Sequence, residues 1–232
     1  MAEVENKCLR ELLVFSKLAW DEVKLICEKA YEKRYGKGEI IFFESTTRDD
    51  RLYILVAGRV KLTMLSPEGK EKVLTILQEG DIFGEISLFD QDTHPLTAEV
   101  IEEARLVILA FADLEAIIMK NPRVAIKIIQ ALSKKTRLLT SQIRELVFQD
   151  AEGRLASLLI RFANDFGRKV QSGQMIDLIL THQEIANLLG TSRVTVTKLV
   201  NRFIDQGLIK IYKRKIVVLE QGKLVKKMGR VV

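Results

Sequence analysis

The residues best equipped for chemistry lie between Thr181 and Phe203, in the run THQEIANLLGTSRVTVTKLVNRF. Thr181 precedes Glu184 by three residues, the spacing of a capping box, in which hydroxyl and carboxylate each satisfy a backbone N–H at a helix start. Ile185, Ala186 and Leu189 form one apolar face of that helix, and the small Ala186 lets a second helix approach closely. Gly190 supplies the turn, where positive φ is easily adopted. Ser192 is placed to cap the second helix, which turns Val196, Leu199 and Val200 inward. Its outward face carries Arg193, Val194, Thr197, Lys198 and Asn201. This is the pattern of a helix-turn-helix, whose second helix enters the DNA major groove by its N-terminal part. Arg193 is the first candidate for a bidentate contact to guanine, with Lys198 just over a turn further on. Val194 meets a thymine methyl or rests against sugar. Thr181, Gln183, Ser192 and Thr195 suit phosphates, through hydroxyl, amide and helix-terminal N–H groups.

After Gly207 the segment LIKIYKRKIVVLE alternates apolar residues on both sides of Lys213, Arg214 and Lys215. That pattern predicts a winged hairpin with a basic tip lying along the phosphate backbone. Charge agrees with a polyanionic partner for this part alone. Residues 150–232 hold 15 Lys and Arg against 7 Asp and Glu, while the rest of the chain holds 22 against 24.

Other chemistries are poorly supplied. Two cysteines, Cys8 and Cys27, and two histidines, His94 and His182, make no metal-ligand spacing, so no metal is expected. No nucleophile–base pair or phosphate-binding Gly-rich loop is recognisable, so no catalytic residues are expected and the chain reads as a non-enzyme. No run of 18 apolar residues occurs, and the acidic N-terminus lacks the pattern of a secretory signal. A cytoplasmic protein without a membrane partner is expected.

Further elements must position these groups. Residues 9–34 have helical spacing at Leu12, Leu13, Phe15, Leu18, Val23 and Ile26. From Gly38 the grain becomes short β-rich runs at 40–43, 52–57, 60–65, 72–77, 96–101 and 105–111. Turn signals at Gly58, 66–69, 79–81 and 102–103 separate them, which predicts an antiparallel roll or sandwich. Asp113 can cap a helix 114–120, and Asn121-Pro122 starts a long one. Along it Ala125, Ile129, Leu132, Thr136, Leu139, Ile143 and Leu146 repeat at 4-3 spacing. This stripe can pack on the chain's own β-rich part. Its narrowness, flanked by Lys127, Lys134, Lys135, Arg137 and Arg144, favours a second copy of the chain. A helix from Ala151 to the C′ position Gly167 and a strand pair around 168–180 lead to Thr181.

Taken together, Gly58-Arg59-Val60, Glu79-Gly80-Asp81-Ile82-Phe83-Gly84-Glu85-Ile86-Ser87-Leu88-Phe89, Phe148-x-Asp150-x-x-x-Arg154-Leu155-Ala156 and the helix-turn-helix resemble the CRP/FNR superfamily of bacterial regulators. The resemblance covers nearly the whole chain. It implies an α+β protein with an N-terminal β-roll for an effector (1–120), a central dimerisation helix and hinge (121–149), a winged helix-turn-helix (150–222) and a basic tail (223–232). It also implies a homodimer on an interrupted palindrome in double-stranded DNA, and RNA polymerase as a further partner if the protein activates. The effector residues that it implies are Gly84, Glu85, Ile86, Ser87, Thr97, Ala98, Leu139 and Thr140. Members that bind cyclic nucleotides neutralise the phosphate with an arginine just before the residues matching Thr97-Ala98. Here the stretch is His94-Pro95-Leu96, so the resemblance implies an unidentified small molecule rather than cyclic AMP. A true cyclic-AMP receptor and an effector-independent DNA-binding protein are the alternatives within the same fold. The recognition helix also lacks the family's acidic base reader, Val194 standing in its place, so a different half-site is expected.

Overall fold

The structure, a computed structural model, describes residues 20–45 and 49–228. Cys8, the apolar positions Leu12 to Leu18 and Arg230 lie outside the described residues. The chain divides into two compact units, Met1–Thr136 and Arg137–Val232.

The first unit runs α1 (Trp20–Lys29), β1 (Tyr31–Tyr35), β2 (Ile40–Phe42), β3 (Arg51–Leu65), β4 (Glu71–Leu77), β5 (Ile82–Phe83), α2 (Glu85–Asp90), β6 (Thr97–Ala110) and α3 (Phe111–Lys120). It also holds the start of α4 (Pro122–Phe148). The strands form an antiparallel sheet in the order β1-β6-β3-β4, with β2 also on β6 and β5 on β3.

The runs expected as separate strands at 52–57 and 60–65 are one strand, as are those at 96–101 and 105–111. Gly58 is therefore a bulge rather than a turn. It sits at φ 85°, and a Cβ there would lie 2.0 Å from the Glu103 carbonyl oxygen. The bulge also resets the two-residue alternation. Before it, Leu52, Ile54 and Val56 face a core shared with α1, α3 and α4, while Tyr53 and Leu55 face the roll interior. After it, Val60 and Leu62 face that interior, although strict alternation from Leu55 would send them the other way.

Three local expectations are corrected. The first helix ends at Lys29, and Tyr31–Tyr35 pairs with Ala104–Ile108 of β6. Strand pairing and burial of Tyr35 in the roll override the helix-compatible residues Glu32, Lys33 and Arg34. Next, α3 starts at Phe111, and Asp113, instead of capping it, pairs with Lys29 at 3.4 Å. The short α2, which no periodicity announced, follows Gly84. The expected start of α4 is observed: Pro122 opens it, and the Asn121 side chain accepts from the Arg123 N–H at 3.2 Å.

The second unit holds the remainder of α4, then α5 (Ala151–Phe166), β7 (Gly167–Val170), β8 (Gly173–Ile176), α6 (His182–Leu189), α7 (Arg193–Asp205), β9 (Ile209–Tyr212), β10 (Lys215–Val218) and α8 (Gln221–Lys227). Its sheet has the order β7-β8-β10-β9. Gly167 is not a left-handed helix cap, because its φ is −86°. A glycine is needed there since a Cβ would lie 1.9 Å from the Ala163 carbonyl oxygen. Of the segment expected as a basic tail, residues 223–227 belong to α8. Leu224 is fully buried, and Lys227 binds Glu152 of α5 at 2.7 Å. Among the described residues no helix is long and apolar enough to cross a membrane.

Candidate nucleic-acid interface and β-roll site

Helices α6 and α7 are built by the local signals in their sequence. Thr181 and Glu184 form the capping box, and Gly190 closes α6 at φ 65°. Ser192 caps α7 by accepting from the Thr195 N–H at 3.0 Å. Ile185, Ala186, Val196, Leu199 and Val200 are buried between the helices and the sheet, leaving Arg193, Val194 and Lys198 exposed on α7. Val194 is 64% exposed.

The hydroxyls near this face are engaged. The Thr181 hydroxyl donates to Glu184 Oε2 at 2.8 Å, and those of Ser192 and Thr195 lie 2.8 Å apart. Gln183 donates to Asn187 at 2.8 Å. Thr197 Oγ1 donates to the Arg193 carbonyl at 2.9 Å and lies 2.8 Å from His182 Nδ1. His182 was not foreseen as part of this site; its place at the first position of α6, facing α7, is a tertiary fact. A cavity of about 490 Å³ opens here, lined in part by Thr181, His182, Gln183, Arg193 and Arg214.

The wing is a two-residue hairpin in which Lys215 faces Tyr212 across the ladder. Its loop residues Lys213 and Arg214 both have positive φ, 47° and 64°. They are exposed, whereas Lys215 is ion-paired with Asp177. Of the three basic residues at the tip, Lys215 thus already has an internal counter-charge.

In the β-roll, Gly84 (φ 84°) precedes α2. The Glu85 side chain is 5% exposed and is held by Lys135 of α4 at 2.7 Å. Ser87 is fully buried and donates to the Asp92 carbonyl at 2.7 Å, while Ile86 faces solvent. Thr97 accepts from the Glu44 N–H at 2.9 Å, and Ala98 lies in the roll interior. Leu96, just before them, is 7% exposed and packs in that same interior. Leu139 and Thr140 lie on the part of α4 that belongs to the second unit.

His94 lies in the loop before β6. It is 1% exposed and stacks on Phe42 with ring centroids 3.7 Å apart. Its Nε2 lies 3.9 Å from Asp49 Oδ2, beyond ordinary hydrogen-bond reach. Burial pushes the Asp49 carboxyl up, but His94, the Tyr53 hydroxyl and Arg51 together outweigh it and hold it below the ordinary carboxylate value.

The stripe on α4 is divided. Val124 and Ile128 are buried in the first unit's core, with Ala131 and Leu132 packed against it. Leu132 is thus a contact of the chain with itself. Ile129, Leu139, Ile143 and Leu146 are 37–62% exposed, and Val147 and Phe148 still more so.

Two family profiles match the chain: a cyclic nucleotide-binding domain over residues 32–121 and a Crp-like helix-turn-helix domain over 153–227. The CRP-like cAMP-activated global transcriptional regulator of Mycobacterium tuberculosis is 31% identical over 193 residues, 83% of this chain and 86% of that protein. The global nitrogen regulator of Synechococcus elongatus is 32% identical over 191 residues, 80% and 84% of the two chains. The solved structure of a CooA mutant from Carboxydothermus hydrogenoformans aligns at a TM-score of 0.75 and 30% identity, covering 87% of this chain and 89% of that one. With a β-roll joined by a long helix to a winged helix-turn-helix, and with relatives matched along most of its length, the chain belongs to the CRP/FNR superfamily of transcription regulators, a family of regulators and not of enzymes.

Proposed function

We propose that the protein is a homodimeric, site-specific DNA-binding regulator in the cytoplasm, whose operator affinity is set by a small molecule bound in the β-roll. The observation that carries the DNA reading is α7 itself, capped by Ser192 and packed on α6, with Arg193, Val194 and Lys198 exposed. Two such helices, displayed about 34 Å apart by a symmetric pair, fit successive major-groove turns of an interrupted palindrome. The exposed Leu139, Ile143 and Leu146 support self-pairing, since an apolar stripe at 4-3 spacing is stable in water only when covered. The test is selection of binding sites from random duplexes with the full chain. Arg193→Ala is expected to weaken the selected site by about 1–3 kcal/mol and to relax one base position. A loss spread evenly over all sequences would assign Arg193 to phosphate.

The effector is proposed to be something other than cyclic AMP, although one relative is named for activation by it. The resemblance calls for an arginine where Leu96 or Pro95 stands, and Leu96 is buried among Leu62, Leu77 and Ala98. A cyclic phosphate against that surface would be a poorly compensated buried charge. Calorimetry with cyclic AMP decides this, with no heat of binding expected. Operator affinity indifferent to every metabolite fraction tried would instead favour an effector-independent protein.

A further inference from the structure

We infer that each DNA half-site contains a thymine whose 5-methyl group is read by Val194 together with the γ-methyl of Thr197. The inference rests on the DNA-binding reading proposed above and names the base that the apolar part of α7 recognises.

The observation is the commitment of the Thr197 hydroxyl. A hydroxyl has a single hydrogen, and that of Thr197 goes to the Arg193 carbonyl at 2.9 Å. The contact to His182 Nδ1 at 2.8 Å must then be donated by the ring, so His182 carries its proton on Nδ1. With its hydrogen used within α7 and a lone pair taken by α6, Thr197 has no donor left for a base edge. What it still offers a partner is one acceptor lone pair and its methyl group. Val194 lies three residues away, on the same side of the helix, and is 64% exposed. The Thr181 hydroxyl is engaged within the protein, and those of Ser192 and Thr195 contact each other, leaving one hydrogen of that pair to donate. Beside the cations Arg193 and Lys198, α7 therefore presents a small apolar patch at its N-terminal end.

The major groove has one apolar complement to such a patch, the C5 methyl of thymine. Cytosine is told by its N4 donor, which requires an acceptor such as a carboxylate, and Val194 supplies none. An exposed valine near the start of a helix contributes little to folding, so its burial is left for the groove.

The experiment uses the full chain and duplexes carrying the site selected from random sequences. Each thymine of a half-site is replaced in turn by deoxyuridine, which keeps base pairing and removes only the methyl. Replacement in one half-site is expected to weaken binding about fourfold, the value of one buried carbon group, and replacement in both about sixteenfold. Val194→Ala should make that position indifferent to the replacement. Thr197→Ser, which keeps the hydroxyl and removes the methyl, should lower affinity about fourfold per half-site on thymine but not on deoxyuridine duplexes. A silent Thr197→Ser on thymine duplexes shows that the Thr197 methyl is not read and overturns the inference. A selected site in which no deoxyuridine replacement matters overturns it as well, while leaving the DNA-binding reading intact. Selection that enriches no sequence at all removes the DNA-binding reading and this inference with it. The deoxyuridine arm uses the unaltered protein, so its outcome does not depend on a variant folding.

Discussion

Replacing Lys213-Arg214 by Asn-Gly should make the protein more stable and a weaker DNA binder. A two-residue hairpin loop with positive φ at both positions is a type I′ turn, and Asn-Gly is its preferred pair. A non-glycine residue with positive φ costs roughly 1–2 kcal/mol. Asparagine retains part of that cost, and the change also removes the Lys213 ammonium from above the Tyr212 ring, 5.6 Å to its centroid and worth about 0.5 kcal/mol. The net gain is about 1–2 kcal/mol, or roughly 5–10 °C in the melting temperature of a domain this size. The cost appears on DNA. Each phosphate contact contributes about 0.9 to the slope of log affinity against log salt, so two lost cations should flatten it by nearly 2 per bound protomer. Calorimetric melting and salt titrations on one duplex read the two effects separately, and Arg214→Gly alone should lose about half of the slope change. A variant that melts lower than the parent would refute the strain argument. An unchanged salt slope would refute the placement of the wing on phosphates.

Four further outcomes follow from the packing. Gly58→Ala should cost about 3 kcal/mol, from positive φ plus overlap with the Glu103 carbonyl, measured by denaturant unfolding. Lys135→Met should destabilise by about 2–3 kcal/mol, because Glu85 stays buried without its cation; adding Glu85→Gln should restore most of the loss, which a double-mutant cycle measures. Glu152, held below the usual carboxylate value by Lys227 and, against some burial, by Arg202, stabilises the fold above pH about 4.5 and loses that contribution as pH falls through its folded value. Glu152→Gln should therefore melt lower than the parent at pH 7, with the gap narrowing below pH about 4.5. Leu139→Glu should place a charge in the proposed seam and yield monomers with weak operator binding; an unchanged sedimentation profile would refute the dimer.

What was legible in the sequence was whatever is decided within a few residues. The Thr181–Glu184 box, the Gly190 turn and the Asn121-Pro122 start are local bargains between side chain and backbone, and they stand where the spacing predicts. Tyr31–Tyr35 reads as helix because its preference for β6 depends on residues some 70 positions away. Gly58 reads as a turn because a turn and a bulge place the same demand on φ, and only the partner strand tells them apart. The exposed positions of α7 are legible in the motif. Their hydrogen-bond commitments are not, since the His182–Thr197 contact joins two helices across a turn. Likewise nothing in His94-Pro95 announced a ring stacked on Phe42, or in Lys135 a tie to a carboxylate 50 residues earlier.

The long strands β3 and β6 have a consequence for how the first unit responds to force or occupancy. Each contributes side chains to both hydrophobic clusters, so the two clusters share a common wall rather than meeting at a seam. Neither can melt alone without tearing ladder bonds that the other needs, and slow hydrogen exchange should therefore be lost from both together. A molecule wedged into the roll interior presses on that wall from within. On its far side lie Val124 and Ile128, the root of the long helix, so any displacement of the sheet is felt there without an intermediate joint.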